Sequence, residues 1–117
     1  MSSVDHRFLT ELRLHMSSHG DRRRLFDSFL DEVFFCEAPA NPGFIATPTP
    51  HGPLIPVFTS EDRLARLSGA CRWFSTTGAD LAALAPVGHR FVVDPGSPHQ
   101  VVMDPNVLFE HVSGPAA

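Results

Sequence analysis

Apolar residues recur at four-residue spacing from the start of the chain. Val4, Phe8, Leu12 and Met16 form one stripe, widened by Leu9 and preceded by Ser2 or Ser3 as a hydroxyl cap. This predicts a first helix, which Gly20 would close by taking the left-handed conformation. Asp21 can cap a second helix whose apolar side carries Leu25, Phe26, Phe29 and Leu30. Helices joined so tightly pack as a hairpin or lie across one face of the remaining chain.

The period then changes. Val33-Phe34-Phe35-Cys36 is apolar at every position, the mark of a strand covered on both faces. Residues 38–53 hold five prolines and two glycines, which predicts punctuated loop around a short strand at 44–46. Residues 54–58 read as the next strand. Pro56 lacks a ladder donor and must face an edge, a bulge or the strand's end. Thr59-Ser60-Glu61-Asp62 is a helix start, a hydroxyl cap followed by carboxylates at the positive end of the dipole. Leu64 and Leu67 give that helix its buried side, and Ser68-Gly69 closes it. Residues 71–74 form a further strand, and 77–80 repeat the cap-plus-acid pattern before Leu81 and Leu84.

Residues 90–93 and 100–103 flank Pro95-Gly96-Ser97-Pro98 as a β-hairpin. Asp104 caps a last helix with Pro105 at its first position and Met103 and Leu108 placed as a hydrophobic staple. The middle alternates strand and helix, which implies right-handed crossovers and parallel pairing, with the hairpin as an antiparallel edge. The expected fold is α/β in the mixed α+β sense. It is a small single-domain mixed sheet of about five strands, with an N-terminal helical pair, short crossover helices and a C-terminal helix.

Composition narrows the function. The chain has 117 residues, 43% hydrophobic and 19% charged, which suits one globular domain. No stretch approaches the ~20 apolar residues of a membrane span, and Asp5, His6, Arg7 and Glu11 interrupt any signal-peptide core. The expected location is cytoplasmic. A formal net charge of −4 disfavours nucleic acid as a partner. All nine basic residues are arginine, which codon bias in a GC-rich genome explains more simply than a demand for bidentate recognition. Ten Phe and no Tyr make the aromatics core filler.

Five segments carry a family resemblance. Leu-Ile-Pro-Val-Phe-Thr-Ser-Glu-Asp at 54–62 resembles the signature of the SseB amino-terminal domain family, named for an "enhanced serine sensitivity" phenotype. Phe34-Phe35-Cys36-Glu37-Ala38-Pro39 sits where that family has its first apolar strand, and Gly78-Ala79-Asp80-Leu81 matches a short helix start. Val92-Val93-Asp94-Pro95-Gly96-Ser97 is similar to its valine-rich strand running into Asn-Pro-Gly-Ser. Residues 101–105 parallel its closing strand and capped helix. The resemblance covers about 22–112 and divides the chain into an N-terminal helix at 1–21, the family-like domain at 22–113 and a tail at 114–117. Position 94 is Asp where the family usually has Asn. The second domain that longer members carry is not expected in this chain. The resemblance implies no catalytic residue and no cofactor, and a secretion-associated role would follow from a shared family label alone.

Three constellations could carry chemistry. Glu11, His15 and His19, spaced i, i+4 and i+8, could present a metal with two imidazoles and a carboxylate, or form an exposed polar stripe. Arg22, Arg23 and Arg24 could dock an acidic protein surface, or be a solvated run in which Arg23 pairs with Asp27. Thr59, Ser60, Glu61, Asp94 and Ser97 stand at predicted strand C-termini, where open α/β sheets bind ligands, although capping and turn chemistry explain them without one. Cys36 and Cys71 lie in strand patterns and are expected to be buried and inert, with His89 or His99 as the histidines that could approach them. The resulting expectation is a non-enzymatic protein-binding or regulatory module. Its partner would be a protein or a second copy of the chain. The alternative is a small-molecule or anion sensor, or an enzyme, at the strand ends.

Overall fold

A computed structural model describes residues 7–113. The expected caps Ser2 and Ser3, Val4 and the 114–117 tail lie outside the described residues.

Helix α1 spans Arg7–Met16 and buries Phe8, Leu9 and Leu12. It ends earlier than Gly20. Ser18 takes the left-handed conformation at φ 65°, the Ser18 amide donates to the His15 carbonyl, and the His19 amide donates to Leu14. Gly20 is needed for a different reason, because a Cβ there would sit 2.4 Å from the His15 backbone nitrogen. Helix α2, Arg22–Asp31, starts as expected, with the Asp21 side chain accepting from the Arg23 amide. Its Phe29 meets Phe8, Phe34 and Phe91 at centroid distances of 5.6, 4.8 and 6.2 Å. These rings form the centre of the core and join both helices to the sheet.

The strands are β1 (Val33–Glu37), β2 (Leu54–Val57), β3 (Trp73–Thr77), β4 (Arg90–Val93) and β5 (Val101–Met103). Strand β1 is covered unevenly, fully on the side of Phe34 and Cys36 and only in part on the side of Phe35 and Glu37. Phe34 and Cys36 are buried while Val33 is exposed, so the unbroken apolar run does not mark a strand fully covered on both faces. Residues 44–46 form no strand, and nearby Thr47 makes a single bridge to Leu54. Residues 71 and 72 precede β3, which begins at Trp73.

Strands β2 and β4 run parallel and β4 and β5 antiparallel, as the alternation predicts. Strand β3 departs from the expected order and pairs antiparallel with β1. The parallel crossover therefore runs from β2 to β4 through three elements: α3 (Glu61–Ser68), β3 and α4 (Gly78–Leu84). Pro56 explains why the sheet divides. Leu54 and Phe58 turn their amides away from β4, toward Thr47 and Phe35. Pro56, midway between them, has no amide to offer on that side. One bridge, Phe35 to Phe58, is what remains between the two-stranded and three-stranded halves.

Gly78 opens α4 against α2, with its amide donating to the Glu32 carbonyl. A Cβ at 78 would fall 1.8 Å from the Phe29 carbonyl oxygen. Helix α5, Pro105–Ser113, is capped by Asp104, whose carboxylate accepts from the Asn106 amide, and both Met103 and Leu108 are buried. His111 ties α5 to α2 through a 2.6 Å contact with Asp27. No helix among the described residues is long and apolar enough to cross a membrane.

Candidate functional site

The C-terminal ends of the two parallel strands lie side by side because Val57 is in register with Val93. The residues just beyond them, Thr59 and Asp94, meet at that point. The Asp94 amide donates to the Val57 carbonyl at 2.8 Å, which continues the ladder by one bond. Its backbone then turns left-handed, φ 47°, a conformation Asp tolerates better than most residues. Pro95 and Gly96 come next as the corners of a type II turn: Gly96 has φ 83°, and the Ser97 amide donates to the Asp94 carbonyl at 3.0 Å.

This turn directs the Asp94 carboxylate inward, where it is 1% exposed. Oδ1 accepts from the Thr59 amide at 2.8 Å. Oδ2 accepts from the Thr59 hydroxyl at 2.7 Å and from His99 Nε2 at 2.6 Å, and Arg63 Nε stands 3.6 Å away. Every partner is a donor, which suits an ionised carboxylate that can only accept. An amide in its place would turn two donor hydrogens toward Arg63. One side chain thus joins the end of β2, α3, the end of β4 and the approach to β5.

Ser60 is the N-cap of α3 and accepts from the Arg63 amide. Glu61 is exposed in the first turn of that helix. Beside Asp94 lies an open cavity of about 310 Å³, lined by Arg63, Arg66, Leu67 and residues 94–98. Of the five strand-end residues picked out in the sequence, the structure brings Asp94 and Ser97 to this cavity. Thr59 is buried beneath it. The Ser97 hydroxyl is out of contact with solvent and has no hydrogen-bond partner among the described residues.

Sequence reasoning missed Arg63 and Arg66, and named His99 only as a possible neighbour of a cysteine. Placing α3 after Ser60 carries a signal for the arginines, because Arg63 stands three residues beyond the cap and Arg66 follows three further on along the same helix face. His99 carries none, since its approach depends on the turn.

The helix-face group of Glu11, His15 and His19 is not assembled. Helix α1 stops at Met16, so His19 lies beyond the face shared by Glu11 and His15. No group of three His, Cys, Asp or Glu among the described residues could hold a metal ion. Arg22, Arg23 and Arg24 are exposed; Arg22 lies 5.1 Å over the Phe26 ring, and Asp27 is engaged by His111 in place of the expected Arg23. Cys36 is buried and its thiol is pushed up to about 12 by desolvation, the opposite of nucleophilic activation. His99 is bonded to Asp94, and His89 Nδ1 lies 3.3 Å from the Val87 carbonyl.

These bonds decide what the strand-end cluster can do chemically. The Thr59 hydroxyl donates a hydrogen bond to the Asp94 carboxylate, and with the residue only 4% exposed that hydroxyl does not open onto the cavity surface. His99 Nε2 is committed to the same carboxylate and the residue is 8% exposed. The arrangement holds backbone segments together.

No curated protein and no solved structure matches the chain. A family model, the SseB protein N-terminal domain, matches residues 7–110, a span that takes in α1 as well as the segment from 22 onward. With nearly its whole length matched, the chain belongs to the SseB protein N-terminal domain family.

Proposed function

We propose that this domain is a non-enzymatic protein-binding and regulatory module that works in the cytoplasm. The observation that carries the reading is the saturation of Asp94: both carboxylate oxygens accept bonds from within the chain, and its Thr59 and His99 partners are buried with it. At the strand ends, where a ligand or substrate would be expected, Thr59, Ser60, Asp94 and His99 are used to fix the backbone. The surface meanwhile exposes Trp73, Leu84, Val87, Phe109 and Val112, side chains suited to contact with a protein.

The test is isolation of the intact protein from its native host, followed by native mass spectrometry. The reading expects a protein bound at fixed stoichiometry, with Arg22→Glu plus Arg23→Glu abolishing the contact if the arginine run forms it. Recovery of a stoichiometric small molecule that the protein converts would overturn it.

A second reading is favoured by one feature. Arg63 and Arg66 both line the cavity beside Asp94, which gives it a positive rim in a chain of net charge −4. A small anion could be held there by the arginine donors. Titration with inorganic phosphate, followed by NMR of the residue 94–98 amides, separates the readings. Saturable shifts lost in Arg66→Ala favour the anion site.

A further inference from the structure

We propose that the open edge of β3 pairs with the same edge of a second copy of this chain, antiparallel about a two-fold axis at Ser75. This deepens the protein-binding reading by naming a partner and the surface that meets it.

The direction of the β3 backbone is set by its register. The Ala38 amide donates to the Arg72 carbonyl and the Gly78 amide to the Glu32 carbonyl, bracketing the β1–β3 ladder. Along β3 the even-numbered residues therefore turn their main chain toward β1, and Trp73, Ser75 and Thr77 turn theirs outward. The alternation is confirmed from the far side of β1, where Phe35 exchanges both of its bonds with Phe58. No strand among the described residues pairs with the outer side of β3.

The two sheet edges are treated differently. Strand β5 is only three residues long, one of the usual ways of blunting an edge. Strand β3 is five residues long and carries no charge, proline or glycine, so nothing on it repels a neighbouring strand. Trp73 lies 46% exposed on it, with its ring 5.6 Å from Phe35.

The outward set is symmetric about Ser75, which favours a copy of the same strand over an unrelated one. In the two-fold arrangement Ser75 faces Ser75 of the partner copy and exchanges two backbone bonds. The Thr77 amide donates to the Trp73 carbonyl across the axis, while the Thr77 carbonyl stays with α4 as its cap. The same register carries exposed Arg72 to the first turn of α4 in the other copy, where Asp80 is exposed. Opposite charges therefore meet at both ends of the paired strands.

Trp73 is the sole tryptophan, so its emission reports this edge alone. Sedimentation equilibrium of the full chain from about 1 to about 500 µM should show reversible dimerisation, with a parallel blue shift of the emission. Ser75→Pro removes an outward-facing amide at an edge position, where proline is tolerated; it should keep the far-UV spectrum and remain monomeric. Arg72→Asp should weaken the dimer about tenfold, and adding Asp80→Arg should restore it, which tests the register even if the proline variant misfolds. A monomer throughout the range, or a dimer indifferent to all of these changes, overturns the proposal. So does a Trp73 shift produced only by another protein's strand. Failure here leaves the wider binding reading standing, since that is judged by partner isolation.

Discussion

The Thr59 amide donates to the Asp94 carboxylate at 2.8 Å across 35 residues of sequence, inside a site where both residues are almost fully buried. That bond, with the hydroxyl contact beside it, locks the exit of β2 to the exit of β4. It also fixes where α3 begins, because Ser60, the next residue, is the helix cap. A carboxylate in a left-handed turn is thereby the junction of the parallel half of the sheet.

His99 holds the turn to that junction, and its loss should be local. His99→Ala removes a charge-assisted bond and leaves Asp94 Oδ2 with fewer donors, a cost of about 1–3 kcal/mol. Hydrogen exchange should accelerate first at the Ser97 and Gln100 amides, which close the turn. Uniform acceleration across the whole chain would show that His99 matters only through global stability.

Gly78 is required by space. Gly78→Ala drives a methyl into the Phe29 carbonyl, and backbone cannot swing aside as a flexible side chain can. Urea unfolding should show a loss of about 3 kcal/mol. Gly43, with open space around its position, is the control: its φ of 130° makes Gly43→Ala strained, but without a clash. Equal losses at both positions would contradict the close α2–α4 approach.

Burial of Cys36 makes stability depend on alkaline pH. Its thiol is pushed from an ordinary 9.0 to about 12, so the unfolded chain releases this proton first. The contribution is fully present below pH 9 and is lost as pH rises toward 12. Wild type should lose more stability than Cys36→Ala between about pH 8 and about pH 10.5. Cys71, expected to be buried in a strand, precedes β3 and is partly exposed, so in native buffer a thiol reagent should label it and spare Cys36; equal labelling rates would refute the burial argument.

Much of this architecture was legible in local chemistry. Asp21, Ser60, Thr77 and Asp104 are caps, and each makes the side-chain-to-amide bond its residue type suggests. The SseB resemblance was legible from 54–62 and 92–97 and agrees with the family match over 7–110. Long-range pairing was not legible. That β3 joins β1 is an antiparallel pairing between strands far apart in the sequence, and Pro56, which interrupts the ladder on the opposite edge of β1, leaves no pattern within either strand. The sequence marked Asp94 as turn chemistry. Its true partners, Thr59, Arg63 and His99, come together only through the parallel register of β2 and β4, which no local period encodes. The end of α1 shows the same limit: Ser18 turns left-handed, and Gly20 is used for its close approach to His15, a contact no local pattern announces.

If the strand-end polar residues are spent on the fold, their removal must cost stability, and the costs must be shared. A double-mutant cycle on Thr59→Val and Asp94→Asn, read by equilibrium urea unfolding, decides this. Each single variant should be less stable, Asp94→Asn by about 1.5–3 kcal/mol, with a coupling of at least about 1 kcal/mol between them. Groups held in place for catalysis often stabilise a protein when replaced. An Asp94→Asn variant as stable as wild type or more so, with no coupling to Thr59, would show that these groups are not there to hold the fold.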